Sequence, residues 1–140
     1  MELYELGLRD LQDKLNRDEV SVQEIIESIF KRIYAVDDKI KAFITLDEEN
    51  ALKKAADLSR KESRNGKLAG LPFALKDVFC TRGLRTTCAS RMLENYVPIY
   101  DATPVSRLNA QQGILIGKTN MDEFAMGSST ELSAFFPTRN

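Results

Sequence analysis

Gly70-Leu71-Pro72-Phe73-Ala74-Leu75-Lys76-Asp77-Val78-Phe79 is the stretch on which the fold turns. Its apolar run, opened by glycine and proline, reads as a buried strand carrying one charged pair, Lys76-Asp77. A second strand is expected at Ile114-Leu115-Ile116. Between them, Thr103 as N-cap and Pro104 at N1 announce a short helix that stops at Gly113. Strand, crossover with helix, strand is a βαβ pattern, so the fold class is α/β with a mixed, largely buried sheet. From Cys80 to Ala102 there is little periodicity, and an unstructured connection of that length inside a compact domain is usually functional.

Upstream of this unit the sequence is helical. A first helix is expected over about Leu6 to Asn16, with Leu8, Leu11 and Leu15 on one face. Ser21 followed by Glu24 is a capping box, and it opens a second helix whose apolar face is Val22, Ile25, Ile26, Ile29, Phe30 and Ile33. That helix should end near Asp37-Asp38. Ala42 to Leu46 reads as a short strand. Asp47 is expected to cap a third helix, acidic in its first turn (Glu48, Glu49) and basic toward its end (Lys53, Lys54, Arg60, Lys61), as the macrodipole favours. Asn65-Gly66 closes the segment with a turn. Residues 1–65 therefore read as a helical covering, and residues 70–140 as the start of a core. Asn120 is expected to begin one more short helix, with Asp122 and Glu123 in its first turn.

Composition narrows the function. Twenty Lys and Arg against 21 Asp and Glu give a net charge of −1, without the basic excess of a chain that grips nucleic acid by itself. Arg82, Arg85 and Arg91 lie close together, but they read as a solvated loop. The acidic start, Met1-Glu2-Leu3-Tyr4-Glu5, is no secretory signal, and no apolar run approaches a membrane span. The expected location is the cytoplasm. The chain holds no histidine, which removes Ser-His-Asp, Cys-His and histidine-zinc chemistry, so a nucleophile here would need a lysine or a carboxylate as its base. Cys80 and Cys88 lack CxxC spacing and read as reduced, partly buried thiols.

Two readings of Lys76 stand side by side. As an edge-strand residue it carries its ammonium to water. As a buried residue its charged form would be disfavoured, leaving an amine able to act as a base. Gly113-Ile-Leu-Ile-Gly117-Lys118-Thr119 falls one residue short of a phosphate-binding P-loop, and its strand-forming interior argues against a nucleotide site. Met126-Gly127-Ser128-Ser129-Thr130 is a small, hydroxyl-rich run in which Gly127 would let a substrate approach the backbone.

Together these segments resemble a known family. Gly70 to Asp77 is similar to the amidase-signature strand that carries a catalytic lysine. Thr86-Thr87-Cys88-Ala89-Ser90 and Tyr100-Asp101-Ala102-Thr103 continue the match, and the run from Gly117 to Glu131 is its most specific part. Within the family, that run looks most like the A subunits of aspartyl/glutamyl-tRNA amidotransferases, and the N-terminal helices fit them too. Val78 and Phe136 stand where relatives often have asparagine and glycine.

The resemblance implies the amidase-signature fold and a glutaminase working through a Ser-cisSer-Lys triad. Its ammonia would convert glutamate misacylated on tRNA-Gln into glutamine. It places the catalytic lysine on Lys76 and a substrate-bordering role on Met126, Gly127 and Ser128. It implies no cofactor in this chain, with ATP and Mg on the amidotransferase's B subunit, tRNA reached only through that subunit, and a small C subunit bracing the pair. Both serines are expected beyond Asn140, so residues 1–140 are read as an incomplete amidase-signature domain, inactive by itself. Two alternatives remain at this point: part of a general small-amide amidase, or a non-catalytic protein that docks on amidotransferase partners.

Overall fold

The computed structural model describes residues 2–140. A 3-10 turn at Leu3–Glu5 leads into α1 (Leu8–Asn16), α2 (Val22–Ile40), β1 (Phe43–Leu46) and α3 (Glu48–Asp57). Then come β2 (Pro72–Lys76), α4 (Thr103–Ala110) and β3 (Ile114–Thr119), with 3-10 turns at Lys61–Ser63, Arg91–Leu93 and Glu123–Ala125. The strands form one sheet in the order β1-β3-β2. β2 and β3 are parallel and β1 joins β3 antiparallel, so the sheet is mixed and the fold is α/β, with the expected βαβ unit at its centre.

Local chemistry explains the helices. Ser21 Oγ accepts from the Glu24 N–H at 3.1 Å, and the Glu24 carboxylate accepts from the Ser21 N–H at 2.7 Å. Two otherwise unpaired N-terminal donors are satisfied that way. Val22, Ile25, Ile26, Phe30 and Ile33 are buried along one face of α2. They pack with Leu11 and Leu15 of α1, Ala51 and Ala55 of α3, and Leu71, Ile114 and Ile116 of the sheet region. A smaller cluster of Leu75, Leu84, Val105 and Leu115 covers the opposite face. The sheet thus lies between a helical layer and a layer made of α4 and the 77–102 connection.

One irregularity decides what the sheet presents. In the parallel pair Phe73 faces Leu115, but Ala74 faces Gly117, so Ile116 is an extra residue on β3. An extra residue reverses the in-out alternation beyond it. Ile114 and Ile116 therefore face the helices, whereas Lys118 falls on the other face, beside Leu75 and Leu115. Gly117 permits the kink: a Cβ there would lie 2.5 Å from the Thr45 carbonyl oxygen of β1.

The structure corrects several expectations. α3 ends at Asp57, so Arg60 and Lys61 lie outside it, and α2 runs on to Ile40, where Lys41 takes a left-handed cap. The N-cap of α4 is Ala102 rather than Thr103. β3 extends through Gly117-Lys118-Thr119, each paired to a neighbouring strand. That run's peptide groups are committed to the ladder and form no phosphate loop. The expected helix from Asn120 is only a 3-10 turn, because Phe124 and Ala125 take φ values of 51° and 62°. β2 is not a buried strand. Among the described residues it has a strand neighbour on one side only, and Ala74 and Lys76 are exposed.

Candidate active site

Lys76, Asp122, Gly127, Ser128 and Thr130 line a cleft of about 160 Å³ at the carboxyl ends of β2 and β3. Parallel pairing sets Lys76 beside Thr119, the last residue of β3, and the chain leaving β3 then folds over the lysine. Three of the four expected site residues therefore share one cleft. Met126 does not line it and is 69% exposed.

One buried carboxylate, Asp122, lines the cleft, and a second, Asp77, lies behind it on the other face of the sheet; sequence reasoning assigns neither a part in the site. Asp122 Oδ1 accepts the Leu132 N–H at 2.8 Å, and Oδ2 accepts those of Ser129 and Thr130 at 2.9 and 3.1 Å. The Leu132 N–H foremost, with those of Thr130 and Ser129, holds the Asp122 carboxyl below the usual carboxylate range. Burial opposes this shift and the charge of Lys76 assists it. Because the carboxylate gathers donors from residues 129–132, it makes no side-chain cap to the 3-10 turn at 123. Gly127 sits directly on it, and a Cβ at 127 would lie 2.5 Å from the Asp122 carboxylate.

Asp77 follows Lys76 and points the other way, as adjacent strand residues do. Its Oδ2 accepts from both the N–H (2.9 Å) and the hydroxyl of Thr87. Its Oδ1 forms an ion pair at 3.5 Å with Lys118, and both side chains are fully buried. The Lys118 ammonium donates to the Phe79 carbonyl at 2.7 Å and to Thr86 Oγ1 at 2.8 Å. Burial pushes the Lys118 amine down from its ordinary pKa, with Asp77 pulling the other way. The fully buried lysine of this sheet is thus Lys118, not Lys76. The bulge at Ile116-Gly117 puts it there, a signal invisible without the strand order.

The 77–102 connection braces the cleft from behind. Cys88 and Ala89 take left-handed φ values of 51° and 53°. Their carbonyls accept from the Phe124 and Ala134 N–H groups at 2.9 Å each. Of the three arginines expected to be solvated, Arg82 and Arg91 are exposed and Arg85 is half-buried; Arg85 and Arg91 both lie over the ring of Phe135, at 5.4 and 4.7 Å. Cys80 and Cys88 are free and partly buried. Burial, with Asp77 and Cys80 nearby, pushes the Cys88 thiol up, away from the thiolate form.

Residues 24–140 match the amidase family model. The chain belongs to the amidase family. Over all 140 residues it is 56% identical to the A subunit of glutamyl-tRNA(Gln) amidotransferase from Syntrophomonas wolfei and 53% identical to that from Halothermothrix orenii. It spans 28% of the length of each of these relatives. The solved structure of the corresponding Thermotoga maritima protein matches with a TM-score of 0.81 at 41% identity, over the whole chain and 28% of that protein. The native peptide amidase of Stenotrophomonas maltophilia matches with a TM-score of 0.82 at 30% identity, over 91% of this chain and 27% of that one. Among the described residues, no helix is long and apolar enough to cross a membrane.

Proposed function

We propose that these 140 residues are the lysine-bearing portion of a glutamine amidohydrolase that supplies ammonia within a cytoplasmic tRNA-dependent amidotransferase. The observation that carries the reading is the shared cleft of Lys76, Gly127 and Ser128, in a chain 53–56% identical to A subunits of glutamyl-tRNA(Gln) amidotransferase. On this reading residues 1–65 are outer covering and residues 70–140 the first part of the catalytic core.

Lys76 would take the proton that a cis-serine gives up as that serine deprotonates the nucleophilic serine. A free lysine amine, with a pKa of ~10.4, is almost wholly protonated at neutral pH and cannot serve as that base. The sheet alone does not desolvate Lys76, whose side chain is exposed. In this proposal, cover comes from the serine-bearing run that the family resemblance places after residue 140. Gly127 and Ser128 would border the bound amide, and Met126 would flank the same lip. Activation by ATP and Mg belongs to the B subunit, which also holds the tRNA, and the C subunit braces the pair. Identity favours this reading over a general small-amide amidase, since the peptide amidase reaches only 30%.

The test is a chimera in which this chain replaces the matching 28% of the Syntrophomonas wolfei protein, assembled with that organism's B and C subunits. The chimera is expected to form glutamine on misacylated tRNA with either glutamine or ammonia as nitrogen source. The 140 residues alone are expected to release no ammonia from glutamine. A chimera that hydrolyses simple amides but not glutamine would favour the general amidase, and one that assembles yet hydrolyses neither would favour a docking protein.

A further inference from the structure

Asp122 stands out among the buried charges because both of its oxygens are committed, and all of their partners lie in the loop that forms the lip of the cleft. Residues 127–132 contain no helix or strand. Their N–H groups at 129, 130 and 132 converge on this one carboxylate. Thr130 is held with φ at 65°, a conformation that residues other than glycine adopt only where their surroundings enforce it. Gly127 lies so close to Asp122 that no side chain fits between them. The far side of the loop is tied as well: Thr130 Oγ1 accepts the Thr138 N–H at 2.8 Å, and Asn120 Nδ2 donates to the Phe136 carbonyl at 2.7 Å. Ser128, by contrast, engages in no hydrogen bond among the described residues, and it lines the cleft together with Lys76.

We infer that Asp122 is a positioning residue. Its carboxylate fixes the distance between the Gly127-Ser128 lip and Lys76, and through it the fit of the amide substrate's carbon skeleton. The inference rests on the proposed function above and names the residue that sets its substrate lip. Asp122 does not touch the reacting atoms, because both oxygens are already spent on the loop. Asparagine at 122 would turn an N–H₂ group toward one set of backbone donors and release that part of the loop. Alanine at 127 would push the lip off the carboxylate from the opposite side.

The experiment is steady-state glutamine hydrolysis by the assembled chimera carrying Asp122→Asn, Gly127→Ala or both. Each single variant is expected to raise KM for glutamine about tenfold or more while kcat stays within about threefold, the pattern of lost ground-state binding. Since both substitutions act through one contact, the double variant is expected to fall well short of the product of the two single effects. Ammonia-dependent transamidation should be unchanged in all three. Unchanged KM, with activity lost only in proportion to the unfolded fraction, would overturn the positioning role, as would multiplicative effects in the double variant. Lys76→Arg is run in parallel to separate the two claims. If the unsubstituted chimera hydrolyses no glutamine, the proposed function fails; if Lys76→Arg retains glutamine hydrolysis, the base role of Lys76 fails; if it is inactive while Asp122→Asn has normal KM, only the present inference fails.

Discussion

Replacing Lys118 by methionine removes a buried cation and leaves its anion behind. Asp77 and Lys118 are both fully buried, and among the described residues Asp77 Oδ1 has no hydrogen bond apart from the 3.5 Å ion pair. The Phe79 carbonyl and Thr86 Oγ1 would lose their donor as well. Breaking such a pair from one side typically costs about 3–5 kcal/mol, because an uncompensated charge remains in the interior. Unfolding entropy of ~2.1 cal/mol/K per residue gives about 0.29 kcal/mol/K for this chain, so Tm should fall by about 10–17 °C. Asp77→Asn should restore part of the loss in the double variant, since an amide oxygen still accepts from Thr87 and no lone charge is left. The assay is thermal unfolding of the 140-residue chain, with Ala74→Lys in every variant to keep it monomeric, followed by far-ultraviolet circular dichroism. A Tm for Lys118→Met within about 3 °C of the parent would refute the claim that this pair ties the 77–87 loop to the sheet, and so would a double variant less stable than Lys118→Met.

The remaining predictions concern the cap, the lip and the open edge. Ser21→Ala should cost about 1 kcal/mol by removing one half of the capping box, read as a shift in the denaturation midpoint. Asp122 has a folded pKa below its unfolded value. Its contribution is therefore full above the unfolded pKa of ~3.9 and is lost as pH falls below it toward the folded pKa. Asp122→Asn should be less stable than the parent at neutral pH, and the gap should close in denaturation series carried down to a pH of about 2; a gap independent of pH would contradict this. The exposed edge of β2, with Phe73 half-buried and Ala74 exposed, should drive association of the isolated chain. Ala74→Lys should shift sedimentation toward monomer at micromolar concentration, and an unchanged distribution would place the sticky surface elsewhere.

What the sequence discloses follows from how local its causes are. Ser21 and Glu24 reveal the start of α2 because both partners of the cap lie within one helical turn. The βαβ unit is legible because Phe73 to Leu75 and Ile114 to Ile116 are apolar enough to need a sheet. The strand around Lys76 reads as buried because apolar neighbours indicate a strand but not its place in the sheet, and β2 lies at the edge. Lys118 is illegible for the converse reason: burial of its side chain depends on β3 being central and on the extra residue at Ile116, neither visible in the bare sequence. Asp122 reads as an ordinary first-turn acid, since nothing nearby announces that its donors come from residues 129–132. The cleft is thus half legible: the lysine and the small-residue lip show in the sequence, and the carboxylate joining them does not.

Whether Lys76 is the base for glutamine hydrolysis is tested most directly by one ratio. In the assembled chimera, glutamine-dependent and ammonia-dependent transamidation are measured for the parent and for Lys76→Arg. Arginine keeps the positive charge but stays protonated, with a pKa above ~12, and cannot accept the proton. Glutamine-dependent activity is expected to fall by at least about a hundredfold, the low end for loss of a general base, while ammonia-dependent activity is unchanged. Near-parental glutamine-dependent activity in Lys76→Arg would contradict the base role and leave Lys76 an exposed edge-strand lysine.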